Sequence, residues 1–269
     1  MNRFGALQGG LQALGRALML PIAVLPVAAL MLRLGQPDLL DQPFIAAAGN
    51  AIFAQIGLLF AIGVGVGIAK ESHGAAGLAG AVAYLVLVQG AKIFIDLPAD
   101  VSLPVSGDPA FRDAVLNAWR ERQLSKLSVP AGIVSGVAAG LLYNRFHAIR
   151  LPEYLSFFGG RRFVPIAAGL FGLFAAAAFG IGFPILEGAI DTLSTQVTAS
   201  GSVGLFAYGL LNRLLLVTGL HHILNNLAWF VVGDFQGTAG DLNRFFAGDP
   251  EAGAFMAGFF PVMMFGLPG

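Results

Sequence analysis

The chain has 269 residues, 57% of them hydrophobic and 11% charged, with 15 basic and 15 acidic side chains and no cysteine. Soluble domains carry about 25% charged residues, so this composition, with a mean hydropathy of +0.78, indicates a membrane protein. Zero net charge offers no basic patch to nucleic acid. The lack of cysteine excludes disulfides, thiolate metal sites and any phosphocysteine carried by this chain.

In the first sixteen residues, Phe4, Leu7, Leu11 and Leu14 follow 3-4-3 spacing, and Arg3 and Arg16 are the only charges. This pattern predicts an amphipathic helix lying on the membrane surface; the alternative is a plain cytosolic extension of the first span. A cleaved signal is rejected, because a signal places its basic region directly before its apolar core. Residues 17–32 are uncharged but interrupted by Pro21 and Pro26. Longer uncharged runs follow at 42–69, 74–91, 127–144, 163–186, 192–212, 214–233 and 252–269. A spanning helix needs about 20 apolar residues, so most of these runs qualify. The period-two alternation of a membrane barrel is absent. The expected fold class is therefore all-α, a polytopic helical membrane protein.

Basic residues in the loops set the orientation. With Arg3 and Arg16 inside, the turn at Gln36-Pro37-Asp38 is outside, Lys70–His73 inside, 96–126 outside and Tyr143–Arg162 inside. The last of these carries Arg145, Arg150, Arg161 and Arg162 against Glu153 alone. Gly132, Gly136 and Gly140 recur every fourth residue, the spacing that lets membrane helices approach closely. Gly63-Val64-Gly65-Val66-Gly67 lacks the G-x-G-x-x-G pattern and lies inside an uncharged run, so it also reads as helix packing. After residue 187 the segments become shorter and more polar. Asp249-Pro250-Glu251 has the form of a helix start. The expected division is a scaffold and dimerisation region at 1–187 and the beginning of a transport region at 188–269, since transporters build substrate sites from interrupted helices.

A polar cluster stands in the apolar run 212–230, and polar groups at membrane depth mark functional sites. If 212–230 is one helix, Arg213 and His221 lie about 12 Å apart along its axis, too far to grip one small solute. Thr218-Gly219 lies between them, and a break there would bring guanidinium and imidazole toward one cavity. His221, Asn225 and Trp229 fall at i, i+4 and i+8 on one face. Imidazole and amide both bond hydroxyls, and an indole covers the apolar face of a pyranose, so the ladder suits an uncharged sugar. His222 and Asn226 form a neighbouring, secondary ladder. The bland alternatives are an Arg213 that snorkels to the interface, histidines bonded to backbone carbonyls, and a Trp229 in the interfacial belt. Adjacent helical histidines point about 100° apart and do not make a metal site; no cofactor is called for.

Several stretches carry a family resemblance. They are Leu20-Pro21-Ile22-Ala23-Val24-Leu25-Pro26, Phe60-Ala61-Ile62-Gly63-Val64, Leu142-Tyr143-Asn144-Arg145-Phe146, Phe157-Phe158-Gly159-Gly160-Arg161-Arg162-Phe163-Val164-Pro165, Gly219-Leu220-His221-His222 and Phe259-Phe260-Pro261-Val262-Met263-Met264-Phe265-Gly266-Leu267-Pro268. Over nearly its whole length the chain resembles the membrane domain, enzyme IIC, of the bacterial sugar phosphotransferase system, in the glucose superfamily. Arg33–Leu40 and Gly240–Asp249 look most like the N-acetylglucosamine branch. The resemblance implies a homodimer in the lipid of the bacterial inner membrane, with its N-terminus cytoplasmic. It implies a transport region that moves N-acetylglucosamine, or a related hexose such as glucose, by an elevator-like displacement. It also implies a cytoplasmic IIB domain whose phosphocysteine phosphorylates the sugar, so the membrane component is not catalytic alone. Arg213 and His221 match residues that contact the sugar. The sugar-binding glutamate of the family, in a G-[IV]-T-E-P segment, is expected beyond Gly269, which suggests a truncated gene, a split gene or a fragment. The rivals are an ion-coupled secondary sugar transporter, a membrane-embedded enzyme using His221 and His222, and a non-transporting remnant.

Overall fold

The computed structural model describes residues 3–37, 39–95, 109–186, 188, 189, 192, 196, 200–216 and 221–255. Helix α1 (Arg3–Ile22) and helix α2 (Leu25–Leu34) open the chain. From Gly9 to Leu34 they provide 26 residues apolar enough to cross a bilayer. The expected surface helix is not separate: α1 continues through Arg16 into the apolar run. Nothing around Arg16 breaks a helix, and Ala17 and Leu18 just beyond it are buried in a core with Phe60 and Val64. The break falls instead after Pro21, and Pro26 occupies the first turn of α2.

The run 42–69, expected as a single span, is a bent pair: α3 (Pro43–Ala54) and α4 (Ile56–Ile68) meet at 54°. Gln55 stands at the bend. Next come α5 (Gly74–Ala91) with a 3-10 turn at Lys92–Phe94, α6 (Pro109–Lys126), α7 (Ser128–Phe146) and α8 (Phe163–Ile181). Taking each bent pair as one crossing, length and composition give up to five spans among the described residues. The expected outer loop 96–126 proves to be helical from Pro109, and 96–108 lie outside the described residues. Trp119 and Leu124 of α6 pack on Ala91, Ile95, Leu127 and Phe183. Its polar side is tied down by Arg120, whose Nε donates to the Ile95 carbonyl at 2.9 Å, and by a Lys92–Glu121 ion pair at 2.8 Å.

Between α4 and α7 the scaffold is held by close backbone approach. Gly132, Gly136 and Gly140 of α7 lie against Gly57, Ala61, Val64, Gly65 and Ile68 of α4. A Cβ at Gly132 would overlap the Gly57 carbonyl, and one at Gly136 would stand 2.9 Å from the Ala61 carbonyl. In α4, Gly65 faces Ala76 and Gly67 faces Ala17, so the glycine run serves packing as its position inside a span implied.

At one end of this bundle Tyr143 and Asn144 tie the loops together. Asn144 accepts from the Lys70 N–H at 2.8 Å and donates to the Ile68 carbonyl at 3.0 Å, which finishes α4. His73 caps α5 by accepting the Ala75 N–H on Nδ1 at 3.0 Å. Glu71 accepts from the Tyr143 hydroxyl at 2.9 Å and from Arg161 at 2.6 Å. The Tyr143 hydrogen bond, with the Arg161 charge beside it, holds the Glu71 carboxyl below the usual carboxylate range. A depressed native value means that this clamp stabilises fully above the ordinary carboxylate pKa and is lost as pH falls through the depressed one. Glu71→Gln should therefore lower the melting temperature slightly at neutral pH, since both partners are half exposed. The difference from the unaltered chain should vanish on acidification. A melting difference that grows in acid would contradict this assignment.

Candidate functional site

Two short helices carry the polar cluster, α9 (Gly201–Leu216) and α10 (His221–Phe230). Tyr208 and Asn212 stand one turn apart on α9. Both donate to Oδ1 of Asn225 on α10, at 2.8 Å and 2.7 Å. In a continuous helix residues 212 and 225 would be about 20 Å apart. The chain therefore folds back between them, and 212–230 is not one continuous helix. The described helices stop at Leu216 and resume at His221, on either side of the expected Thr218-Gly219 break; residues 217–220 themselves lie outside the described residues. Nor does Arg213 separate two spans. It lies in the last turn of α9, where a cation complements the C-terminal end of the helix dipole.

The helices have 16 and 10 residues, roughly 24 and 15 Å at the α-helical rise. Neither crosses a hydrocarbon core about 30 Å thick. Arg213, exposed in the last turn of α9, and His221, the first residue of α10, both belong to the closed end of this hairpin. The side chains of His221 and His222 lie outside the described residues.

Deeper in the hairpin, Asn225 is only 1% exposed. Its Oδ1 takes both donors from α9, while its Nδ2 has no hydrogen-bond partner among the described residues. The amide thus holds a buried donor in reserve, which costs about 1–3 kcal/mol until an acceptor arrives. Asn226 is buried beside it. Trp229, 3% exposed, sits in a core with Leu18, Phe60, Phe230 and Leu242, its ring covered by protein. Tyr208 and Asn212 escaped sequence reasoning, although two polar groups at i, i+4 in an apolar helix are a visible signal.

The chain continues into a small hairpin, β1 (Asp234–Phe235) and β2 (Thr238–Ala239). Gln236 and Gly237 between the strands take φ of 52° and 82°, the left-handed pair of a tight hairpin turn. The short helix α11 (Asp241–Phe246) follows. Buried Asp241 accepts the N–H groups of Gly253 and Phe255, and buried Arg244 pairs with Asp249 at 2.6 Å. Asp249 accepts the Glu251 N–H as a helix cap would, yet 250–255 form turns, so the expected helix start is not seen among the described residues. Asp249 is instead committed to Arg244. This stretch brings Phe255 edge-on against Tyr208 at 5.2 Å.

A cavity of about 380 Å³ borders the hairpin, lined by Tyr208, Leu211, Leu224, Leu227 and Phe255 among others. A larger one, about 950 Å³, lies between the α3–α4 bend, the end of α5, α6 and α11, and is not lined by Arg213, Asn225, Asn226 or Trp229. The Asn225 amide, with Tyr208 and Asn212 beside it, can hydrogen-bond an uncharged polyhydroxylated solute.

The model of the family "Phosphotransferase system, EIIC" matches residues 15–269. The chain is 49% identical to the N-acetylglucosamine-specific EIICBA component of Escherichia coli over 97% of its own length and 37% of the relative's. It is 44% identical to the N-acetylglucosamine-specific EIICB component of Bacillus subtilis, covering 96% of this chain and 51% of that one. It is 40% identical to the N-acetylglucosamine-specific EIIC component of Streptomyces coelicolor, covering 99% and 64%. The chain spans between about a third and two thirds of the length of these relatives.

Proposed function

Since the chain belongs to the phosphotransferase-system EIIC family, and is a multi-pass membrane protein on its apolar helices, we propose that it forms the sugar-translocating part of an N-acetylglucosamine permease. Arg213 and His221 hold the sugar and Asn225 contributes its free amide donor. A cytoplasmic domain bearing a phosphocysteine phosphorylates the sugar, because this chain has no cysteine to serve as that donor. Relatives named EIICB and EIICBA support such a partner.

What supports this reading is the 44–49% identity, over nearly the whole chain, to N-acetylglucosamine-specific relatives; at the candidate site it is joined by the 2.7 Å contact between Asn212 and Asn225. That contact folds α9 back on α10 and gives Arg213 and His221 a common end. The N-terminus is cytoplasmic, which places the arginine-rich Tyr143–Arg162 segment inside. The working unit is a homodimer in the bacterial inner membrane.

Competition of labelled N-acetylglucosamine uptake in cells expressing the intact permease tests the substrate. Unlabelled N-acetylglucosamine should compete at lower concentration than glucose. Equal or stronger competition by glucose would refute the N-acetylglucosamine assignment.

A further inference from the structure

The 950 Å³ cavity brings together polar groups that the hairpin site does not use. Asn50 on α3, Gln55 at the α3–α4 bend and Gln89 on α5 all line it. These amides belong to apolar spanning segments, where a polar side chain faces a water-filled or ligand-filled cavity rather than lipid. Gln36 and Asn243 line the same cavity from opposite parts of the chain. Gln36 follows the end of α2, and Asn243 lies on α11. Gln36 Nε2 donates to the Leu32 carbonyl at 3.3 Å, and Asn243 Nδ2 donates to the Ala239 carbonyl at 3.1 Å. Each amide is thereby anchored through its nitrogen, with its oxygen left as an acceptor. Among the described residues on the wall the charged side chains are Lys92 and Glu121, paired with each other at 2.8 Å. An ionic ligand therefore finds no uncompensated partner there, whereas a solute rich in hydroxyl and N–H groups finds five amides.

We propose that this cavity is a second sugar site, a vestibule that takes up an uncharged N-acetylated hexose before it reaches the hairpin. Gln36 and Asn243 select for the acetamido N–H. The proposal rests on the permease reading and names a separate site for the same substrate. The volume lies within the range of small-molecule pockets and accommodates a pyranose with its acetamido group and accompanying water.

The cysteine-free sequence permits a direct test. Ala54 lines the cavity and is exposed to it, so Ala54→Cys gives a single reporter thiol. In the purified chain in detergent, N-acetylglucosamine should slow maleimide alkylation of this thiol several-fold, and glucose should slow it less. Gln36→Leu with Asn243→Leu should erase the difference between the two sugars, and Gln89→Leu should weaken protection by both. Protection should persist in His221→Ala, which disables the hairpin site. Alkylation unaffected by either sugar, or protection that disappears with His221→Ala, would overturn the vestibule. Uptake by the intact permease in the face of that result would leave the permease reading standing. Absence of both uptake and protection would overturn both.

Discussion

Replacing either Arg213 or His221 by alanine in the intact permease is expected to weaken N-acetylglucosamine binding roughly five- to hundred-fold, since each lost hydrogen bond to a buried ligand costs about 1–3 kcal/mol. Arg213 lies in the last turn of α9 and His221 is the first residue of α10. His222→Ala should cost less, because it stands on the neighbouring ladder. Isothermal titration calorimetry reads the three variants side by side, with membrane insertion and helix content as controls that should not change. If His222→Ala proves the more damaging substitution, the second histidine is the ligand and the pairing of Arg213 with His221 is wrong.

Gly136→Leu should be at least as severe, but it acts on the fold. Gly136 lies against Val64, the Ala61 carbonyl and the Gly65 nitrogen. The Cβ of any side chain there would stand 2.9 Å from the Ala61 carbonyl, whatever its rotamer. Overpacking a tight core costs about 1–3 kcal/mol even where side chains can yield, and backbone yields less. The expected result is a large drop in the detergent melting temperature, or failure to accumulate in the membrane. Gly9→Ala supplies the control. Nothing lies within 4 Å of its added Cβ, and the helix gains about 0.5–1 kcal/mol from losing a glycine. A Gly136→Leu chain that melts like the unaltered one would show that α4 and α7 do not pack through this face.

These glycines were legible in the sequence because close packing leaves a periodic signature of small residues. The membrane class and the helical spans were legible for a similar reason, since hydropathy reports the solvent directly. The direction of a helix axis has no such signature. Phe4, Leu7, Leu11 and Leu14 would look the same on a surface helix as on the first half of α1, and only the burial of Ala17 and Leu18 decides between them. The bend at Gln55 was hidden because the uncharged run passes straight through it. The fold-back between α9 and α10 was partly visible in Thr218-Gly219. Its consequence was not, because periodicity along one chain says nothing of which residues meet across a turn. Tyr208 and Asn212 became interesting only once both were seen to converge on Asn225. The Arg244–Asp249 pair was open to the same logic, as opposite charges five residues apart in an apolar chain seek each other. The helix-start pattern at Asp249-Pro250-Glu251 masked it.

The site depends on α9 and α10 lying side by side, and a distance across the hairpin tests that most directly. Leu211 and Leu224 line the same 380 Å³ cavity from the two helices. With no native cysteine to interfere, Leu211→Cys and Leu224→Cys accept a pair of spin labels. Electron paramagnetic resonance of the doubly labelled chain should show strong dipolar broadening from labels in near contact. A resolved separation of about 20 Å, the rise of thirteen residues in one continuous helix, would mean that the chain does not fold back and that Arg213 and His221 share no site.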